Sequence, residues 1–193
     1  MEYTVKVDND GTVKYYKRGT DVLHREDGPA VAHISGYKQW YKEGLLHREE
    51  GPACEYVDGA KHWYLHGELH REDGPAIIDA NGREAWCKEG KWHREDGPAV
   101  VYPNGTQRWY KEGLIHREDG PAVINSGVCR VWYKENKRHR EDGPAIEYGD
   151  GAKEWWIDGE KLSEEEFENR TKEAEVRMFT VPVGTEEIRI QFE

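Results

Sequence analysis

The chain has 193 residues, with 36% hydrophobic and 35% charged, and a formal net charge of −11. That balance alone would predict disorder, but 8 Trp and 11 Tyr supply material for a core. The acidic excess argues against nucleic-acid backbones and anionic membranes as partners, since both repel it at long range, and it leaves a basic protein surface attractive.

The opening segment Met1-Glu2-Tyr3-Thr4-Val5-Lys6-Val7 has no apolar leader region, and nowhere do 18 apolar residues run together. A soluble, unexported protein is expected. Residues 1–23 read as a diverged first unit of a repeat that becomes plain at His24. There, His24-Arg25-Glu26-Asp27-Gly28-Pro29-Ala30 begins a motif that returns at His47, His70, His93, His116 and His139, each start 23 residues after the last, with only Glu50 departing from it. A fixed period of this length is the mark of a repeat array. In the first unit, Tyr15-Tyr16-Lys17-Arg18-Gly19 stands for the later Trp40-Tyr41-Lys42-Glu43-Gly44. Divergence is expected of a terminal repeat, whose outer face meets solvent.

The fourth repeat is the clearest. His93-Arg94-Glu95-Asp96-Gly97 leads into Pro98-Ala99-Val100-Val101-Tyr102, then Pro103-Asn104-Gly105, then Thr106-Gln107-Arg108-Trp109-Tyr110. Two β-prone runs around an Asn-Gly pair predict a hairpin with a type I′ turn. Asp58-Gly59, Asn81-Gly82 and Asp150-Gly151 hold the same place, with Ser35-Gly36 a weaker version. Gly and Pro recur too often for helix. The expected fold is therefore all-β: an elongated antiparallel meander or solenoid of about seven hairpin repeats over residues 1–161, advancing about 10 Å per repeat. The row Trp40, Trp63, Trp86, Trp109, Trp132 and Trp155 is expected to be the structural core. The row Tyr41, Tyr64, Cys87, Tyr110, Tyr133 and Trp156 is expected on the other face, because strand neighbours alternate.

The fifth repeat is irregular: Gly127 comes one place early, Asn136 replaces a Gly, and Lys137-Arg138 replaces an apolar pair. Asn tolerates left-handed backbone, so the turn is expected to survive on a looser edge. After Gly159 the period stops. Ser163 with Glu166 forms a capping box, Leu162 and Phe167 a hydrophobic staple, and a helix from 164 to 174 follows. Residues 176–193 alternate, predicting a closing hairpin, so that 162–193 cap the exposed edge of the array. Cys54, Cys87 and Cys129 fit neither a disulfide framework nor a zinc spacing, and no metal or other cofactor is expected.

Repeated His, Arg, Glu and Asp invite an enzymatic reading. Catalysis needs one convergent site with unequal environments, which equivalent sets strung along an array do not supply; no catalytic residue is expected. Histidines about 10 Å apart cannot share a metal. The bland reading is a tight turn: Asp caps amides, Gly takes positive φ and Pro sets the next strand's entry. Two binding readings stand beside it. The ladder Arg25, Arg48, Arg71, Arg94, Arg117 and Arg140 could clamp a phosphate or nucleotide, although two carboxylates accompany each Arg in the repeat. The exposed row Tyr41, Tyr64, Tyr110 and Tyr133 could instead contact a protein. Mimicry of a phosphate backbone is weaker, because bases interleave with the acids before residue 160, with 29 acids against 23 bases.

The hairpin unit with its Trp-Tyr-Lys-Glu-Gly run resembles the MORN-variant repeat. The form Leu-His-Arg-Glu-Asp-Gly-Pro-Ala, with Trp155-Trp156-Ile157-Asp158-Gly159-Glu160-Lys161-Leu162-Ser163 following, looks like repeat proteins of bacteriophages and some bacteria. The resemblance covers residues 1–167 and implies a scaffold without catalytic residues, in the cytoplasm of a bacterial host. It implies a partner that is most naturally a host protein, possible self-association, and counter-defence as a role. A sponge for a nucleotide-like signalling molecule is the alternative. Neither nucleic acid nor membrane is implied.

Overall fold

The computed structural model describes residues 2–179 and bears out a β-hairpin repeat array. Fifteen strands pair antiparallel in sequence order into one open sheet. In the fourth repeat, Val100–Val101 pairs with Gln107–Arg108, which pairs on its other side with Val123–Asn125 of the next repeat. Each repeat thus contributes two strands to the sheet, an advance of about 10 Å.

The regular repeats contain a second, smaller hairpin. Tyr110–Lys111 pairs with Leu114–Ile115 outside the long sheet, as do four equivalent pairs. Trp109 sits at the joint between the two ladders. Its N–H donates to Ala122 O at 2.8 Å and its carbonyl accepts from His116 N at 3.2 Å.

The turn types differ from the sequence expectation. Gly105 N donates to Tyr102 O at 3.0 Å, and among Pro103, Asn104 and Gly105 only Gly105 has positive φ. This is a type I turn followed by a left-handed Gly, a three-residue loop with a G1 bulge. The Asn104 Oδ1 accepts the Thr106 N–H at 2.9 Å and tightens the loop. The type I′ turn lies at Glu112-Gly113, where φ is 52° and 82°. Glu43, His66, Glu89, Glu135 and Asp158 occupy the same left-handed position. A non-glycine residue there costs about 1–2 kcal/mol, so something must hold it.

The deepest burial also falls elsewhere than expected. Ala30, Ala53, Ala76, Ala99, Ala122 and Ala145, each following the loop proline, are fully buried, and the residues after them, from Val31 to Ile146, nearly so. Trp40, Trp63, Trp86, Trp109, Trp132 and Trp155 are only partly buried. Small side chains fill the interior where adjacent strands and loops meet, and the indoles of this row lie at its margin. The neighbouring row faces this interior. Cys87 is 2% exposed, Tyr110 packs on Ile77, Ala85 and Val100, and Tyr133 and Trp156 pack on Val123, Val131 and Ile146.

The worn first unit keeps the same plan. Tyr15 donates its N–H to Ala30 O and accepts from His24 N, as Trp40 does with Ala53 and His47. In the fifth repeat, Glu135-Asn136 keeps positive φ at both positions, and the Asn136 Oδ1 accepts the Ile115 N–H at 2.7 Å.

The helix α1 spans Glu164–Phe179, so Val176 to Phe179 continue the helix instead of starting a strand. The rest of the expected closing hairpin lies outside the described residues. The capping box is formed: the Ser163 Oγ accepts from Glu166 N at 3.2 Å, and the Glu166 carboxylate accepts from Ser163 N at 2.8 Å. The buried Phe167 lies on this helix, which packs on Lys153–Ile157 and Glu160–Leu162 at the end of the array. Among the described residues, no helix is long and apolar enough to cross a membrane.

Candidate functional site

The recurrent loop is built from its arginine outward. The Arg71 guanidinium lies over the Trp63 ring at 4.2 Å, its Nε donates to Asp73 at 2.8 Å, and one terminal nitrogen donates to Pro75 O at 3.3 Å. Arg48, Arg94, Arg117 and Arg140 cover Trp40, Trp86, Trp109 and Trp132 at 3.9–4.2 Å, and Arg25 covers Tyr15 at 4.0 Å. Every one of these arginines also donates to the proline carbonyl four residues on, at 3.0–3.4 Å. Such stacking contributes about 0.5–2 kcal/mol per pair. Arg48 and Arg140 reach further, to Glu55 and Glu147.

The loop glycine serves this arginine. A Cβ on Gly28 or Gly74 would lie 3.0 Å from the guanidinium carbon of Arg25 or Arg71. Gly28, Gly74, Gly97, Gly120 and Gly143 do not have positive φ; only Gly51, in the variant loop with Glu50, does. The expected left-handed Gly is therefore not the general reason for it. The Asp also differs from expectation, accepting the Arg Nε in four of the loops.

Each motif histidine ties the start of its repeat to the small hairpin at that repeat's end. The His93 Nδ1 accepts the backbone N–H of Glu112 at 3.2 Å, and the other five make the same bond 19 residues on, at 3.0–3.4 Å. This is what holds the left-handed turn residue. Gly113 N adds a bond to Trp92 O, which does cross the repeat boundary. An accepting Nδ1 requires the proton on Nε2, and Nε2 faces the loop glutamate in every case, at 3.1–3.9 Å. The histidine spacing excludes a shared metal but does not by itself reveal this partner. The constant separation of 19 residues between each His and the turn residue was the available signal.

With arginine and histidine turned inward, the carboxylates are left outside. Arg117 is 23% exposed while its partner Asp119 is 82% exposed. The side chains of Asp27, Asp73, Asp119 and Asp142 are held below the ordinary carboxylate range, chiefly by the hydrogen bond from their Arg. Between consecutive loops lie open grooves. The groove between the loops at His93 and His116 has a volume of about 850 Å³, and the next, toward His139, about 900 Å³. Trp109 and Trp132 are among the residues that line them, together with motif arginines, a lysine and loop carboxylates.

The tyrosine row does not form an exposed contact stripe. Tyr41, Tyr64, Tyr110 and Tyr133 are partly buried, and burial pushes the Tyr41 and Tyr64 hydroxyls up. They meet the loops mainly through their backbone, as when Tyr133 O accepts from Arg117 N. His62 stands between Tyr56 and Asp79, and the His66 ring meets that of His47 in a tilted contact with centroids 4.5 Å apart. Among the described residues, no group of three His, Cys, Asp or Glu side chains is placed to hold a metal. Cys54, Cys87 and Cys129 are free, and burial pushes the Cys87 thiol up to about 12. No protein-family model matches the chain, and no curated protein matches it.

Proposed function

We propose that this chain is a non-enzymatic binding array that engages a host protein through the surface of its repeat loops. The observation that carries this reading is the division of charge in the loop. Each motif Arg is occupied by an aromatic ring and its own loop, and each His by the last turn of its own repeat, while the acids point to solvent. Such a surface is periodic, acidic and equivalent from repeat to repeat, which suits recognition of a protein and not turnover at one centre. The resemblance to phage repeat proteins extends the proposal to antagonism of a host defence component in the bacterial cytoplasm.

The alternative, a sponge for a nucleotide-like signal, asks each arginine to abandon the contacts that build its loop. Native mass spectrometry of the tagged protein, recovered gently from a host lysate, separates the two. A stoichiometric host polypeptide supports the proposal. A bound mass of several hundred daltons (roughly that of a dinucleotide), lost on denaturation, replaces it with the sponge. An unliganded protein under several lysate conditions removes both.

A further inference from the structure

The two ends of the open sheet are finished differently. At the far end, α1 packs on the last two strands, Lys153–Ile157 and Glu160–Leu162. At the near end lies β1 (Tyr3–Val7), which pairs with β2 (Val13–Lys17) residue for residue and has no strand on its other side among the described residues. β1 carries neither a proline nor a bulge, two common means of blunting an edge. A terminal repeat ordinarily turns a polar face outward, yet Val5 and Val7 are 51% and 67% exposed.

The bonding pattern of this edge is fixed by its partner strand. Asp8 N donates to Thr12 O, and the alternation of an antiparallel ladder then turns the backbone of Lys6 and Thr4 toward β2. The N–H and C=O groups of Tyr3, Val5 and Val7 are turned outward. β2 agrees, because Tyr15 N and Lys17 N donate away from β1, to Ala30 O and Val22 O. A strand added here must set its own bonding residues against these three.

A second copy of this chain does so in one favourable register. Antiparallel pairing about a two-fold axis normal to the sheet keeps the core faces of both copies on one side. Centred on Val5, the pairing sets Glu2 against Asp8 of the other copy; centred on Lys6, it sets Lys6 against Lys6. Centred on Thr4, it sets Glu2 against Lys6, Thr4 against Thr4 and Tyr3 against Val5, each charged and aromatic pair occurring twice. Centres at Tyr3 or Val7 leave almost no overlap. Opposite charges and paired threonines are favourable cross-strand neighbours, and like charges are unfavourable.

Glu2 and Lys6 already pair within the chain, with Arg18 and Asp21, but all four side chains are exposed and free to take a second partner. Across the axis they alternate in sign as Arg18, Glu2, then Lys6 and Asp21 of the other copy. These charges choose the register; ladder bonds and cover for Val5 supply the affinity. Tyr3 offers a fixed surface for that cover, since its hydroxyl accepts from Glu26 N at 3.1 Å and its ring meets Tyr15 edge-on at 6.0 Å. Net charge favours the same end. Residues 1–23 hold four acids, Glu2, Asp8, Asp10 and Asp21, against four bases, Lys6, Lys14, Lys17 and Arg18, in a chain of net charge −11. Residues 160–193 hold ten acids against five bases, so the other end repels its own kind.

We propose that β1 is a self-association edge: two copies join β1 to β1, antiparallel and centred on Thr4, and continue one sheet through a two-fold axis. Tyr3 and Val5 of each copy exchange ladder bonds with Val5 and Tyr3 of the other. This goes beyond the reading of the loops as a host-protein surface and does not depend on it.

The test is sedimentation velocity on the full chain from about 10 μM to 1 mM, the range suited to a small interface. A species of twice the 22.5 kDa chain mass is expected. Glu2→Lys and Lys6→Glu each set like charges across the axis and are expected to weaken the dimer about tenfold. Mixed together, with one of them isotope-labelled for native mass spectrometry, the two variants restore opposite charges and are expected to pair with each other in preference to themselves. Val5→Pro removes an outward N–H and no bond to β2, so it is expected to abolish the dimer while circular dichroism melts show the fold retained. If that variant unfolds, the charge variants decide alone. A chain that stays monomeric throughout the range overturns the proposal, as does a dimer indifferent to a folded Val5→Pro chain, or charge variants without preference for each other. A host polypeptide that occupies this edge and leaves the chain monomeric also overturns it.

Discussion

The Nδ1 of His93 accepts the backbone N–H of Glu112, a residue with a φ of 52° at the far end of the same repeat, at 3.2 Å. An unfavourable local conformation is thus held by a bond that also ties the first residue of the repeat to its last turn. His93→Ala leaves a turn N–H without its acceptor, and a stability loss of about 1–3 kcal/mol is expected. His93→Asn is expected to recover much of it, because its Oδ1 sits about where Nδ1 does. Urea denaturation of both variants checks this; equal losses in the two would show that the ring acts by packing alone.

Gly74 and Arg71 are coupled in space. A Cβ at Gly74 would press on the guanidinium, at 3.0 Å from its central carbon, and push it off Trp63. Gly74→Ala should therefore destabilise the protein and alter its tryptophan emission, and Arg71→Ala should remove most of the added cost. A coupling of about 1–2 kcal/mol is expected from the double-mutant cycle. Strict additivity would mean that the glycine is required for its backbone.

The period, its all-β consequence and the capping box were legible because each is local. The 23-residue repeat is written in identities, and the Ser163 and Glu166 pairing needs only three residues of separation. Inside and outside were harder. Trp109 and Tyr110 look equally apolar in sequence, and an alternation rule assumes one continuous strand; the strand breaks at Trp109, and Arg117 lies over its ring. The type I′ turn was assigned to Asn104-Gly105 because Asn is common at left-handed positions. Glu112-Gly113 holds that conformation through a histidine 19 residues earlier, a tertiary cause that propensity does not carry.

Acid should weaken the loops in a defined direction. The carboxyls of Asp27, Asp73, Asp119 and Asp142 lie below the ordinary range because of their Arg hydrogen bonds. A group whose folded value is depressed adds stability at neutral pH that is lost as pH falls through that value. The window lies below about pH 4. The urea midpoint of the wild type is expected to fall faster with acidification than that of a variant carrying Asn at all four positions, and the two curves should converge. Parallel curves would show that these ion pairs contribute nothing.

The position of a lost histidine should matter as much as its burial. Repeats touch mainly their neighbours, so stability approximates a sum of unit and interface contributions along one dimension. His24 joins its loop to the turn at Glu43, next to the terminal unit, whereas His93 makes the equivalent bond to Glu112 in the middle of the array. His24→Ala removes the more buried ring but loosens one end, so faster amide exchange is expected mainly in Tyr3–Val7 and Val13–Lys17. His93→Ala divides the array, and exchange should rise on both sides of the break while unfolding becomes less cooperative. Hydrogen exchange on the two variants distinguishes this from a globular core, in which the loss of His24, 2% exposed, would raise exchange throughout.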